Sequence, residues 1–349
     1  MYRGAMNAGE KVLDFLYGQQ LQVDEDWAVK TPNGFTWWAA GNAQTVEILD
    51  REAGPDGMTG YLVGVRTEML ADLELTDAAV AELNEGPMRF ASMSGPVYDA
   101  DAGTVSLCSL VRVHDEIASW MGILLSSAAV LQLGEAQIFG PKLAEALGAQ
   151  PAVSGHPDRG LREEPDDMAF AARMFVETGS EPLRLSEKDF DDAVTGHMMR
   201  PPSVGATSGG LGLTAEFPYG DASSLCQFIG EQSHPLYGNG LLIVQRFPHP
   251  VPAEDGGRLA LDLNRVDLAE TPSGYGFGSY VYTDEMICFN GFIPNALLQA
   301  GLLPSLYYSC AARASSMSVR LLGREWDEDS FSLDHSAAGR AAGENPKRA

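Results

Sequence analysis

Apolar and polar positions recur along this chain in an order that is met twice. Near the start, Val12, Phe15 and Leu16 share one face of a helix predicted over Gly9–Gln20. Three strand-like runs follow, Phe35–Ala40, Thr45–Arg51 and Thr59–Arg66, the last two separated by the turn-forming Ala53-Gly54-Pro55-Asp56-Gly57. Thr76-Asp77 opens a short helix over Ala78–Asn84, which Gly86-Pro87 is expected to stop. Strands are predicted at Met88–Tyr98 and Thr104–Val113. A long helix then begins near Asp115, with Trp120, Met121, Leu124, Leu125, Ala128 and Leu131 at three- and four-residue steps. Gly140-Pro141 is expected to break it before a last helical piece, Lys142–Leu147.

Between Pro151 and about Ser186, proline, glycine and acidic residues dominate, as in a linker, with one short helix at Met168–Val176. The first order then returns. A helix is predicted at Glu187–Met199, with Ser186 as its cap, and strands at Gly212–Phe217, Ser224–Gly230 and Leu241–Phe247. The polar segment Ala253–Glu270 stands where the short helix stood. Strands at Tyr275–Tyr282 and Met286–Ile293 and a closing helix from Pro304 complete it. The expected class is α+β: two tandem α-β-β-β-α-β-β-α units with antiparallel sheets and long packing helices, arranged as a pseudo-dimer. The units span 1–150 and 186–323, the second lacking a clear middle helix; 151–185 is an acidic linker and 324–349 a tail expected to be disordered.

Charge narrows the function classes. The 349 residues carry 48 acidic and 23 basic side chains, a formal net charge of −25. Nucleic-acid binding rests on basic side chains releasing counterions from phosphate, so no nucleic-acid partner is expected. Anionic membrane surfaces are disfavoured for the same reason. The stretches 117–134 and 286–312 are uncharged, but polar residues interrupt the first and Asn290, Pro294, Asn295 and Pro304 the second, so no membrane insertion is expected. The first residues lack the apolar run of a signal peptide. Cys108, Cys226, Cys288 and Cys310 lie in apolar surroundings without a CxxC pair. They read as buried free thiols of a cytoplasmic protein.

The element order resembles that of type III secretion chaperones and the related bacterial YbjN-like domains. In the first unit the resemblance is carried by FTWWAAGNAQTVEILD, GMTGYLVGVRTEML and VSLCSLVRVHDEIASWMGILL; in the second, by GLGLTAEF, SSLCQFIG, NGLLIVQRF and MICFNGFIPNALL. It is a likeness of topology and texture. It implies a non-enzymatic protein whose curved sheet and long helix offer apolar grooves to a client protein, with the usual dimer built inside one chain.

Candidate residues follow from the pattern. In a strand, Trp37 and Trp38 point to opposite faces, so one should enter the core and the other either anchor a partner or lie under a further element. On the long helix, Ile123 and Val130 fall off the main stripe, giving it a second apolar face that is either sandwiched internally or shared with a client or second copy. A competing reading places a ligand pocket between the halves near Glu216, His234 and Arg246. A third makes the chain a structural subunit of a homo-oligomer. No catalytic residue, metal site or cofactor is expected: the sequence has no GxSxG, no HExxH and no zinc-like spacing. Gly274-Tyr275-Gly276-Phe277-Gly278 leads into a strand rather than a helix, unlike a dinucleotide fingerprint.

Overall fold

The computed structural model describes residues 6–53, 59–177, 181–197, 211–299 and 301–323. The expected tail 324–349 and the end of the helix predicted at Glu187–Met199 lie outside them. The first half runs α1 (Ala8–Phe15), β1 (Ala28–Thr31), β2 (Gly34–Trp37), β3 (Gln44–Ala53), β4 (Thr59–Ala71), α2 (Asp77–Arg89), β5 (Gly95–Asp99), β6 (Thr104–Val113), α3 (Ala118–Leu147) and β7 (Gln150–Pro151). After α4 (Arg173–Glu177) the second half runs α5 (Glu187–His197), β8 (Gly212–Tyr219), β9 (Ala222–His234), β10 (Gly238–Phe247), α6 (Ala253–Arg265), β11 (Ser279–Thr283), β12 (Met286–Pro294) and α7 (Leu302–Leu322).

The fold is α+β, with two antiparallel sheets. The first has the order β1-β2-β3-β4-β6-β5, with β7 beside β4, and the second β8-β9-β10-β12-β11. Apart from β1 and β7, the two orders are the same. Local chemistry accounts for the ends of the elements. Asn7 caps α1 reciprocally with Glu10, each backbone N–H donating to the other's side chain at 2.9 Å. Thr76 Oγ1 accepts from Ala79 N to start α2.

Four departures from the sequence reading have physical causes. The segment 253–270 is not an open connector: α6 is the second half's middle helix. Its buried side holds Ala260, Leu261 and Leu263 with Gly256, Asn264 and, just beyond its end, Asp267, while Glu254, Asp255, Arg258 and Asp262 on the other side give the segment its polar composition. α2 runs through Pro87 to Arg89, and the strand predicted from Met88 begins only at Gly95. α3 likewise passes Gly140-Pro141 without a break. Gly140 lies close to the backbone of β4, so packing on the sheet sustains the helix there. Finally, the linker is packed. Ala152 N, Ser154 N and Asp166 N donate to the carbonyls of Met69, Gly41 and Ala39, and the turn Asp167–Phe170 lies on α3.

The halves meet about a pseudo-twofold axis. Edge strand β5 starts where Gly95 pairs with Cys108, and β11 where Ser279 pairs with Asn290. Three residues before each edge strand, the chain crosses to the other half: Gly276 N donates to Leu110 O at 3.0 Å, and Ser92 O accepts from Phe292 N at 3.1 Å. Helix α2 packs on β11 and α6 on β5, and the two helices touch. Such reciprocity is the mark of a twofold interface, here within one chain. Gly276 has backbone atoms where a side chain would go, which is why glycine occupies this crossing.

Asn84 ties the seam. Its side chain donates to Tyr282 O at 2.9 Å and accepts from Tyr282 N at 2.6 Å, closing the free edge of β11 as a neighbouring strand would. Asn84→Ala is expected to cost about 1–2 kcal/mol in urea unfolding, since two net hydrogen bonds are lost at a half-solvated edge.

α3 is long and apolar enough to cross a bilayer, but 72% of its most apolar stretch is buried inside the protein. One apolar core runs through both halves, from Trp37 and Val63 through Leu124 and Leu131 to Phe228 and Ile293.

Candidate functional site

The sequence candidates do not form a site. Trp37 is fully buried and donates from Nε1 to Gln44 Oε1 at 3.0 Å. Trp38, 6% exposed, is covered by the linker: its Nε1 donates to Ser154 Oγ at 3.3 Å and its ring meets His156 edge-on. Val130 is buried, leaving Ile123, 42% exposed, as the open one of the four. Neither tryptophan is free to anchor a partner. Glu216 and Arg246 both stand opposite Leu225 on adjoining strands and are exposed, whereas His234 is buried at the far end of β9. The three do not converge.

His234 nonetheless leads to the site that does exist. Its ring stacks on Tyr237, with centroids 4.7 Å apart and planes 9° from parallel, and Phe292 covers it from another side. Its Nδ1 accepts from the backbone N–H of Leu236 and Tyr237, which puts the ring proton on Nε2. Burial holds its pKa down at about 4, so it is neutral. Stacked in this way, Tyr237 points its hydroxyl across the seam and donates to Glu135 Oε1 of α3 at 2.6 Å.

Glu135 is 4% exposed, in the middle of the longest apolar helix. Its second oxygen accepts from Ser94 Oγ at 3.0 Å and Ser92 Oγ at 3.2 Å. Both serines belong to the segment that crosses the pseudo-dyad ahead of β5, so the crossing that joins the halves also builds the site. Among the described residues no Lys, Arg or His lies within 4 Å of this carboxyl. Burial raises its pKa to about 7, and the three hydroxyl bonds only partly oppose the rise.

Glu135 forms the floor of a pocket of about 160 Å³ between α2 and α3. Phe139 and Leu143 follow it along α3 at four-residue steps and make one wall, and Leu83, Pro87 and Phe90 make the other. The rings of Phe90 and Phe139 are 5.3 Å apart. At the mouth stand Glu82 and the ion pair of Glu85 with Arg89. The arrangement is an apolar slot ending in a convergent carboxyl and two hydroxyls, a form suited to binding and orienting a group.

The second half carries a buried cation on the helix that answers to α3, at the position of Gln132 rather than of Glu135. In α3, Ala129 O accepts from Gln44, and one turn on Gln132 accepts from Thr67; in α7, Cys310 O accepts from Gln245, and one turn on stands Arg313. Arg313 is 1% exposed, donates to Tyr275 O at 2.8 Å, lies 3.7 Å from Asp267 and caps the Phe289 ring at 3.6 Å. Beside it, Cys226 donates to Cys310 Sγ at 3.3 Å, and all four cysteines are free and buried. Burial pushes the Cys108 thiol up to about 12 and that of Cys288 to about 11, so neither is a ready nucleophile. Among the described residues, no group of three or more His, Cys, Asp or Glu is placed to hold a metal ion.

Glu135 is not among the sequence candidates; it stands just past the uncharged stretch 117–134. Its signal was its position: four residues after Leu131 and three after Gln132, it falls on the stripe that faces the sheet. Ser92, Ser94 and Tyr237 carried no local signal. Fold and site together define a tandem α+β pseudo-dimer with an acid-floored pocket in its first half, beside the seam that Tyr237 crosses. No protein-family model matches the sequence, and no curated protein and no solved structure matches it significantly.

Proposed function

We propose that the chain is a non-enzymatic cytoplasmic adaptor, chaperone-like in the manner of the secretion-chaperone and YbjN-like domains whose element order it resembles. It binds a protein partner by seating a side chain of that partner in the slot between α2 and α3. The observation that carries the reading is the slot itself: apolar walls, a polar floor and a mouth open to solvent. A net charge of −25, with Glu82 exposed at the mouth, favours a partner segment rich in Lys and Arg. The four unbridged thiols accord with a reducing compartment. The flat apolar surfaces suggested by the tryptophans play no part, because those residues are internal.

Leu143→Trp tests this, since the larger ring projects into the slot from a half-buried wall. On an array of immobilised peptides of varied sequence, the wild-type chain is expected to select basic segments, and the variant to lose binding by about tenfold or more, as for blocking a central anchor. Equal binding by the two proteins, or a preference for acidic peptides, would contradict the proposal.

A further inference from the structure

We infer that the group seated at the floor of this slot is an alkylammonium, whose nitrogen pairs with Glu135. The inference rests on the slot being the binding site, and it adds the chemistry that the slot selects.

Among the described residues the buried carboxyl of Glu135 has no counter-ion, whereas buried Asp267 has Arg313. A carboxylate offers roughly four lone-pair positions. Tyr237, Ser92 and Ser94 use three, and Glu135 also lines the slot, so one position is left for a donor entering from it. The walls suit a four- or five-carbon stem, which Leu83, Pro87, Phe90, Phe139 and Leu143 line with apolar surface. An anion would meet Glu135 and Glu82. A purely apolar group would leave the floor's polar atoms facing hydrocarbon, which costs free energy. A cation with an aliphatic stem meets floor, walls and mouth together.

The titratable groups around Glu135 are few. Tyr237 and the neutral His234 stacked on it come from the β9–β10 turn, and Glu82, Glu85 and Arg89 from α2. None of them supplies a positive charge at the floor. An arriving ammonium therefore favours the ionised form of Glu135, and its carboxyl proton leaves to solvent.

The test is calorimetric titration of the full chain at about pH 7 with n-pentylammonium chloride and with pentan-1-ol, its neutral counterpart, in two buffers of different ionisation enthalpy. A decapeptide carrying one lysine and its acetyl-lysine form separate a protein source of the ammonium from a small amine. The amine is expected to bind at least about tenfold more tightly than the alcohol, with proton release. Glu135→Gln, checked for folding by circular dichroism, should lose that preference, and the lysine peptide should outbind its acetylated form. If the alcohol binds as well as the amine, the ammonium assignment is overturned while the slot remains a binding site. If the amine binds but the lysine peptide does not, the ammonium stands and the partner-segment reading falls. If no probe binds, both fall. The comparison of amine with alcohol is made on the wild-type chain and does not depend on the variant folding.

Discussion

Glu135→Gln is expected to raise stability at about pH 8 by as much as ~3 kcal/mol, an unusual outcome for a change at a buried, hydrogen-bonded residue. The ordinary glutamate value is 4.5, and in the folded chain burial raises it to about 7. The folded protein therefore holds this proton more tightly than the unfolded chain does. The stability it contributes is fully present below 4.5 and is lost as pH rises through about 7. That interval corresponds to about 3 kcal/mol at ~1.4 kcal/mol per pH unit. Glutamine keeps the shape and the acceptor without the charge. His234 acts in the opposite sense: held near 4 against an ordinary 6.5, it withdraws stability as pH falls through that range. The wild type should thus be nearly flat between about pH 4.5 and 6.5 and weaken above it, whereas the variant should gain stability up to about pH 6.5 and then stay level. Urea unfolding across this range reads the difference. A variant weaker than wild type at about pH 8, with an unchanged profile, would remove the charge argument.

The second large effect is expected at the buried pair of the other half. Arg313→Met should cost about 3–5 kcal/mol, because it leaves a buried carboxylate without its cation. Asp267 is fully buried and keeps only its bonds from Ser273 and from Tyr280, whose hydroxyl is 3.2 Å away. Arg313 also holds the crossing strand through Tyr275 O and stacks on Phe289, so its loss loosens the seam as well as the pair. Combining Arg313→Met with Asp267→Asn should recover much of the loss, since no charge then remains to be desolvated. A single variant within about 0.5 kcal/mol of wild type would mean that the pair contributes little to the fold.

The element order was legible because most strands and helices bury one continuous face: Thr104–Val113 was read with its observed bounds, and the long helix within three residues of its start. What stayed hidden depended on partners distant in sequence. β1 is short and largely exposed, so it has no apolar period to detect. For Trp38 and Val130 the pattern leaves open whether the second face is covered or offered to a partner, because alternation tells which face a residue takes, but not what lies over that face. The linker covers Trp38, and the core closes over Val130. Helix α6 is polar in composition, its charged outer residues outnumbering an apolar side that does recur at the helical period. Its Asn264 serves β11, accepting from Tyr280 N at 2.7 Å, much as Asn84 does from the other half. The site is the extreme case. Its carboxyl, its two serines and its tyrosine come from three separate stretches, brought together by a crossing that exists only once the halves have docked.

The central claim is that Glu135 at the floor of the slot holds its proton up to about pH 7 and gives it up when a cation enters. Carbon-detected NMR of the glutamate side-chain carboxyls, followed through a pH titration with and without n-pentylammonium chloride, measures this directly. One carboxyl, absent in Glu135→Gln, should titrate near 7 in the free protein, and the amine should lower its midpoint by about one pH unit or more. Titration of every glutamate in the ordinary range, or a midpoint near 7 that the amine leaves unmoved, would contradict the account.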